Sequence, residues 1–213
     1  AKLGPAEAYQ VDYVGLDLTL DGFAVESVTG DGAAFAAAVK TVTEISQRPL
    51  ILMSSDPAVM AAGLAVTDGQ TPLIYAADSD NWEAMAGLAK EHKAALVVTG
   101  SSLETLADLT EKIQGKGVED MVLEPAAEDL GTRLAMSTQI RRLALKKNFR
   151  PLGYPLFVAP TNGADDAYES MLAAQGFAKY AGFVVIDTFK PELVYPLLVL
   201  RQNIYTDPQK PIQ

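Results

Sequence analysis

The residues of this chain best suited to chemistry are carboxylates in short polar segments that follow apolar runs: Asp31, Asp56, Asp78, Asp80, Glu124, Glu128, Asp165 and Asp187. Paired carboxylates do acid–base work or hold a hard cation. This set offers them little help, because Lys190 brings the one positive charge and no histidine joins them. An acid at a helix start also caps the first turn and meets the helix dipole. Capping is the simpler reading. Five residues form a candidate rim: Asp78, Asn81, Glu124, Asn162 and Asp187. Asp and Asn side chains converging there could hydrogen-bond a ligand, and spacing alone leaves their convergence open.

Other chemistries are weaker. The chain has no cysteine, which excludes disulfides and thiolate-held zinc or iron–sulfur clusters within it. Its one histidine, His92, falls where a helix is finishing and reads as a solvated helix-end residue. Gly30-Asp31-Gly32 and Gly115-Lys116-Gly117 fit neither a dinucleotide nor a P-loop spacing. Arg141, Arg142, Lys146, Lys147 and Arg150 form the only basic run, and Arg142 and Lys146 share a helix face. That run fits an acidic partner surface or a solvated helix end equally well. The net charge of −10 repels phosphate backbones and anionic membranes, so nucleic acid and membrane are not expected as partners. No apolar run has the length of a membrane span and no signal peptide is visible, so a cytoplasmic location is expected.

The elements that must position these residues form a repeat. Phe23–Val28 precedes a helical stretch over Ala33–Ile45, Leu50–Met53 precedes Pro57–Leu64, and Leu73–Ala76 precedes Trp82–His92. Leu96–Thr99 precedes Leu103–Gln114, and Met121–Leu123 precedes a long helix within Asp129–Asn148. Leu156–Ala159 precedes Asp165–Tyr180, and Phe183–Asp187 precedes Glu192–Tyr205. These are seven βα units. Asp56-Pro57 and Lys190-Pro191-Glu192 mark helix starts, Ser101 with Glu104 fits a capping box, and Gly115-Lys116-Gly117 suits a left-handed helix end. Trp82 and Met85, at helical spacing, read as core.

Strands apolar throughout, such as Leu50–Met53, Leu96–Val98 and Phe183–Ile186, imply a parallel sheet covered on both faces. Seven consecutive units without a polar edge strand favour a parallel (β/α)8 TIM-like barrel over an open doubly wound sheet. The eighth strand is then Tyr13–Leu20 or lies before Ala1. Asp21-Gly22 looks like a two-residue hairpin turn, which would make Tyr13–Leu20 an antiparallel flap beside the first visible barrel strand, with the first βα unit missing. The last helix carries apolar residues on more than one face, including Leu197–Leu200, and so is expected to be buried against something further, such as a second barrel or a following domain. Both ends read as cut from a longer polypeptide: residues 1–205 as the barrel domain, and 206–213 as a linker beyond it.

Two segments resemble the large (gamma) subunit of the corrinoid iron–sulfur protein of the acetyl-CoA decarbonylase/synthase system. One is Ser137-Thr138-Gln139-Ile140-Arg141-Arg142-Leu143-Ala144-Leu145-Lys146-Lys147-Asn148-Phe149-Arg150, running into Leu152-Gly153-Tyr154-Pro155. The other is Arg201-Gln202-Asn203-Ile204-Tyr205-Thr206-Asp207-Pro208-Gln209-Lys210-Pro211-Ile212. Weaker similarity, including Leu73–Ala77 and Asn81–Lys90, runs along nearly the whole chain. The resemblance implies the middle TIM barrel of that subunit. Its cofactors, cobalamin and a [4Fe–4S] cluster, would then lie in other domains, with none in this chain, and the linker would lead to a C-terminal corrinoid-binding domain. The partners implied are the small (delta) subunit, a methyltransferase and acetyl-CoA synthase. The barrel would be a non-catalytic docking scaffold, with Arg201, Asn203, Tyr205 and Asp207 as candidate interface residues. The alternative is a pterin-dependent methyltransferase barrel acting on methyl-tetrahydrofolate or methyl-tetrahydropterin.

Overall fold

The structure, a computed structural model, describes residues 3–67, 69–160 and 165–205. In chain order it holds α1 (Leu3–Glu7), β1 (Gln10–Tyr13), β2 (Leu16–Thr19), β3 (Phe23–Glu26), α2 (Gly32–Ile45), β4 (Leu50–Met53), α3 (Pro57–Leu64), β5 (Leu73–Ala77) and α4 (Trp82–His92). Then follow β6 (Ala95–Gly100), α5 (Leu103–Gly115), β7 (Met121–Pro125), α6 (Leu130–Lys147), a 3₁₀ turn (Arg150–Leu152), β8 (Leu156–Val158), α7 (Asp166–Ala178), β9 (Ala181–Val184) and α8 (Pro191–Tyr205). The chain divides into two compact units, Asp21–Leu156 and Ala1–Leu20 with Phe157–Gln213.

Seven strands run in the order β3-β4-β5-β6-β7-β8-β9, and the registered pairs from β3 to β8 are parallel. A doubly wound sheet reverses its strand order at a switch point. No reversal occurs here, so the fold is the TIM-barrel type, wound in one direction. Among the described residues no helix is long and apolar enough to cross a membrane.

In the unit Asp21–Leu156 the two faces of the sheet differ. Val25, Leu50, Leu52, Ile74, Leu96, Val98 and Leu123 are buried. Gly100 shares their side, and a Cβ there would meet Leu106 and Thr105 of α5, so this is the face the helices cover. The register places Glu26, Met53 and Tyr75 in one row on the opposite face, and Thr99 beside Glu124 in another. Close helix packing follows from small residues: a Cβ on Gly63 of α3 would strike the ring of Phe35 on α2.

Helix starts obey the capping logic. Asp31 accepts hydrogen bonds from the Ala33 and Ala34 amides at 2.7 and 3.1 Å, and Asp56 from the Ala58 amide at 2.8 Å. Asp129 accepts from Thr132 N at 2.9 Å and Asp165 from Tyr168 N at 2.8 Å. One cap differs from expectation. Ser102, not Ser101, caps α5: its Oγ accepts from Thr105 N at 3.0 Å, and the Thr105 hydroxyl rather than Glu104 completes the turn. Gly117 takes the left-handed conformation expected of it, at φ 88°.

The N-terminal hairpin corrects the flap reading. β2 pairs with β1, in a sheet separate from β3. The turn is Val14-Gly15, both at positive φ (53° and 77°), rather than Asp21-Gly22. Gly22 serves close approach instead: a Cβ there would run into the carbonyl oxygen of Pro49, which accepts the Phe23 amide at the start of the sheet.

In the second unit α8 is buried on two sides, as its sequence requires, but this chain supplies both covers. Val194 and Leu198 pack with Leu18 of β2 and the half-buried Val11 and Tyr13 of β1. Leu197 packs with Ala173 and Phe177 of α7. Strand β9 begins two residues earlier than predicted, and Phe183 through Ile186 are half-buried rather than enclosed on both faces. Exposed Gly182 inside the strand and the last place in the strand order account for this: an outermost strand has one neighbour.

Candidate functional site

The helix-free face of Asp21–Leu156 carries a buried polar cluster at the C-terminal ends of β5, β6 and β7. Its centre is Glu124, with a side chain 7 % exposed. Hydroxyls of Tyr75 and Thr99 donate to its carboxylate. Arg133, placed by the first turns of α6, brings a guanidinium 6 % exposed, with Nη1 3.9 Å from Glu124 Oε1. Arg133 Nη2 donates to the Ala127 carbonyl at 3.0 Å, while its Nε and Nη1 have no hydrogen-bond partner among the described residues. Burial raises the Glu124 carboxyl above its ordinary range, against the pull of the two hydroxyls and Arg133. The Tyr75 phenol is also raised, first by burial and then by the Glu124 charge. The cluster can hold a proton on Glu124 and offer two guanidinium donors in a site of low polarity.

Asp78 and Asn81 sit at the end of β5, bound to each other's backbone. The Asp78 carboxylate accepts the Asp80 and Asn81 amides at 2.9 and 3.0 Å, and Asn81 Oδ1 accepts the Asp78 amide at 2.9 Å. Asn81 Nδ2 donates to the carbonyls of Ser55 (2.8 Å) and Ala76 (3.1 Å), tying two adjacent βα loops together. In the other unit Asp187 is exposed, and its amide donates to Glu169 Oε1. Asn162 and Asp207 lie outside the described residues. Of the five rim candidates, Glu124 alone is shown in the buried cluster. Tyr75, Thr99 and Arg133 complete it, and sequence reasoning passed over all three.

Among the other carboxylates, Asp31, Asp56 and Asp165 are caps, and Asp31 engages two of the amides an anion at the Gly30–Gly32 turn would need. Lys190 pairs with Asp166. His92 is the last residue of α4, as predicted. Among the described residues no three His, Cys, Asp or Glu side chains gather as metal ligands. A [4Fe–4S] cluster bound through four thiolates does not fit a chain without cysteine.

The interface candidates on α8 have contacts within their own unit. The Tyr13 hydroxyl donates to Asn203 Oδ1 at 3.4 Å. The Tyr205 hydroxyl donates to the Ala181 carbonyl at 3.1 Å, and its ring meets Tyr180 edge-on at 5.9 Å. Arg201 is half-buried.

A family model described as CO dehydrogenase/acetyl-CoA synthase delta subunit matches residues 5–213. The chain is 43 % identical, over its whole length, to the corrinoid/iron-sulfur protein large subunit of Moorella thermoacetica, of which it covers 48 %. It is 34 % identical over 97 % of its length to the acetyl-CoA decarbonylase/synthase complex subunit gamma of Archaeoglobus fulgidus, of which it covers 46 %. The chain thus spans about half the length of these relatives. Among solved structures it is similar to 7,8-dihydropteroate synthase of Vibrio fischeri (TM-score 0.61, 14 % identity, 88 % of this chain and 82 % of that one). It is equally similar to the Yersinia pestis enzyme solved with a pterine-sulfa conjugate (TM-score 0.61, 14 % identity, 84 % and 80 %). At that identity the likeness shows the fold alone.

Proposed function

The chain belongs to the family of the CO dehydrogenase/acetyl-CoA synthase delta subunit model, with corrinoid/iron-sulfur protein large subunits and decarbonylase/synthase gamma subunits as its relatives, and on that premise we propose that it is the barrel scaffold of a corrinoid methyl carrier. It docks a small companion subunit and a corrinoid-bearing domain, and the assembly passes a methyl group between a methyltransferase and acetyl-CoA synthase in the cytoplasm. Cobalamin and the iron–sulfur cluster belong to other parts of the parent protein. The observation that carries the reading is the use of the carboxylates at the strand ends: Asp31, Asp56, Asp78, Asp129 and Asp165 close backbone amides, which is the chemistry of a rigid frame. In the test, the chain alone is incubated with methyl-tetrahydrofolate and cob(I)alamin, and the parent protein is purified with its companion subunits with and without residues 1–205. No methylcobalamin should form beyond the uncatalysed rate, and deleting 1–205 should abolish co-purification. Catalysed methylcobalamin formation, or an intact complex after the deletion, would reject the scaffold.

The cluster around Glu124 favours a second reading, a pterin-binding methyltransferase barrel. A carboxyl raised by burial, beside an arginine with two buried donors that make no hydrogen bond among the described residues, suits a hydrogen-bonding heterocycle. Loss of methyl-tetrahydrofolate binding in Glu124→Gln, measured by calorimetry against a wild type that binds it, would establish that reading.

A further inference from the structure

Positive charge in this acidic protein is concentrated in one place. Residues 130–164 hold six Lys or Arg and no Asp or Glu, while the rest of the chain holds eleven against all twenty-seven acids. Helix α6 carries most of it. Its inward side is Arg133, Met136, Ser137 and Ile140, all buried. Its outward side bears Leu134 and Leu145 with Arg142 and Lys146, continued past the helix end by Phe149 and Arg150.

Three observations set this face apart from an ordinary solvated one. Leu145 is 67 % exposed, with Phe149 at 40 % just past the helix end, and Leu134 at 37 % lies three turns earlier on the same side, so the exposed apolar groups are not isolated on this face. The side chains of Arg142, Lys146, Lys147 and Arg150 have no ion pair or hydrogen bond among the described residues, whereas Lys112, Lys116 and Lys190 each pair with an acid. And a helix of 18 residues, about 27 Å long, is the right size for the centre of a standard interface.

We propose that the outward face of α6 docks a protein partner whose own surface is acidic around an apolar centre. Leucine and phenylalanine supply the dry contact, and the cations around them fix register and speed encounter. Complementarity of charge decides the occupant: three unpaired cations, Arg142, Lys146 and Arg150, around the apolar pair Leu145 and Phe149 call for carboxylates around an apolar knob. This inference rests on the scaffold reading and names the surface that reading leaves open.

The test uses the full-length parent protein co-expressed with its complex subunits. Arg142→Glu with Lys146→Glu should weaken binding of one companion subunit at least tenfold and flatten its salt dependence, while Lys40→Glu on exposed α2 changes neither. A photo-crosslinking benzoylphenylalanine at Leu145 should join that same subunit. Far-UV circular dichroism and urea midpoints of the variants should match wild type, since the changed side chains are exposed. Wild-type affinity of the charge-reversed protein, with the companion bound, overturns the docking face and leaves the scaffold standing. A crosslink between two copies of this chain, or variant-sensitive binding to vesicles with 30 % anionic lipid in place of a subunit, also overturns it. A wild-type protein that binds no companion subunit overturns both readings.

Discussion

Replacing Arg133 with methionine isolates the electrostatics of the buried cluster. At 3.9 Å and an effective dielectric of about 20, an ionised Glu124 attracts Arg133 by about 4 kcal/mol. Against this stand Arg133 Nε and Nη1, which have no hydrogen-bond partner among the described residues, each costing about 1–3 kcal/mol. The balance depends on pH because the attraction needs the ionised carboxylate. Glu124 has a folded pKa above its ordinary value of 4.5, so its contribution to stability is fully present below 4.5 and is lost as pH rises through the raised value. Arg133 lowers that folded value, so its removal pushes it higher and steepens the loss. Arg133→Met should therefore be neutral or stabilising near pH 4.5. It should become progressively worse than wild type at higher pH, with a total swing of up to about 4 kcal/mol. Urea unfolding followed by Trp82, the single tryptophan and a residue of the same unit, gives the difference at each pH. A difference that stays flat to within about 0.5 kcal/mol from pH 4.5 to 9 would refute the electrostatic account.

Further outcomes follow from caps and burial. Ser102→Ala should cost about 1 kcal/mol and Ser101→Ala less than about 0.5, read from urea midpoints, because the first alone removes the hydrogen bond to Thr105 N. Leu198→Ser should destabilise the isolated chain by about 2–5 kcal/mol, since β2 and α8 bury that side chain without any partner; unchanged melting would return Leu198 to an interface role. Val185→Asp, at a half-buried position, should remain soluble, whereas Leu96→Asp, fully buried in β6, should accumulate in the pellet on expression.

The repeat was legible because its signals are local. Leu50–Met53, Pro57–Leu64 and Trp82–His92 have the limits that apolar runs, Asp56-Pro57 and the polar helix end dictate. The hairpin was not, because its turn seats Val14, a β-branched residue, at positive φ, while Asp21-Gly22 carries a turn's composition without its conformation. In the site, Glu124 stood out as an acid closing an apolar strand. Tyr75 hid inside the run Leu73–Ala77, where an aromatic reads as core. Arg133 left a trace that could have been followed: a cation in the opening turns of a helix opposes the dipole and needs another reason to be there. Glu169, buried on α7 to hold the Asp187 and Thr188 amides, left none, since an acid in an early helical turn looks ordinary.

The packing of the hairpin against α8 has a bearing on synthesis. Tyr13 and Asn203 are 190 residues apart, and Leu18 finds Val194 and Leu198 only when the chain has been made through α8. At about 5–20 residues per second, residues 1–20 wait roughly 10–40 s on the ribosome for their partners in α8. In that interval Asp21–Leu156, whose strands pair with their sequence neighbours, has everything it needs to collapse. The hairpin segment meanwhile exposes Tyr9, Val11, Tyr13 and Leu18 together, an apolar stretch suited to a chaperone until α8 arrives to claim it.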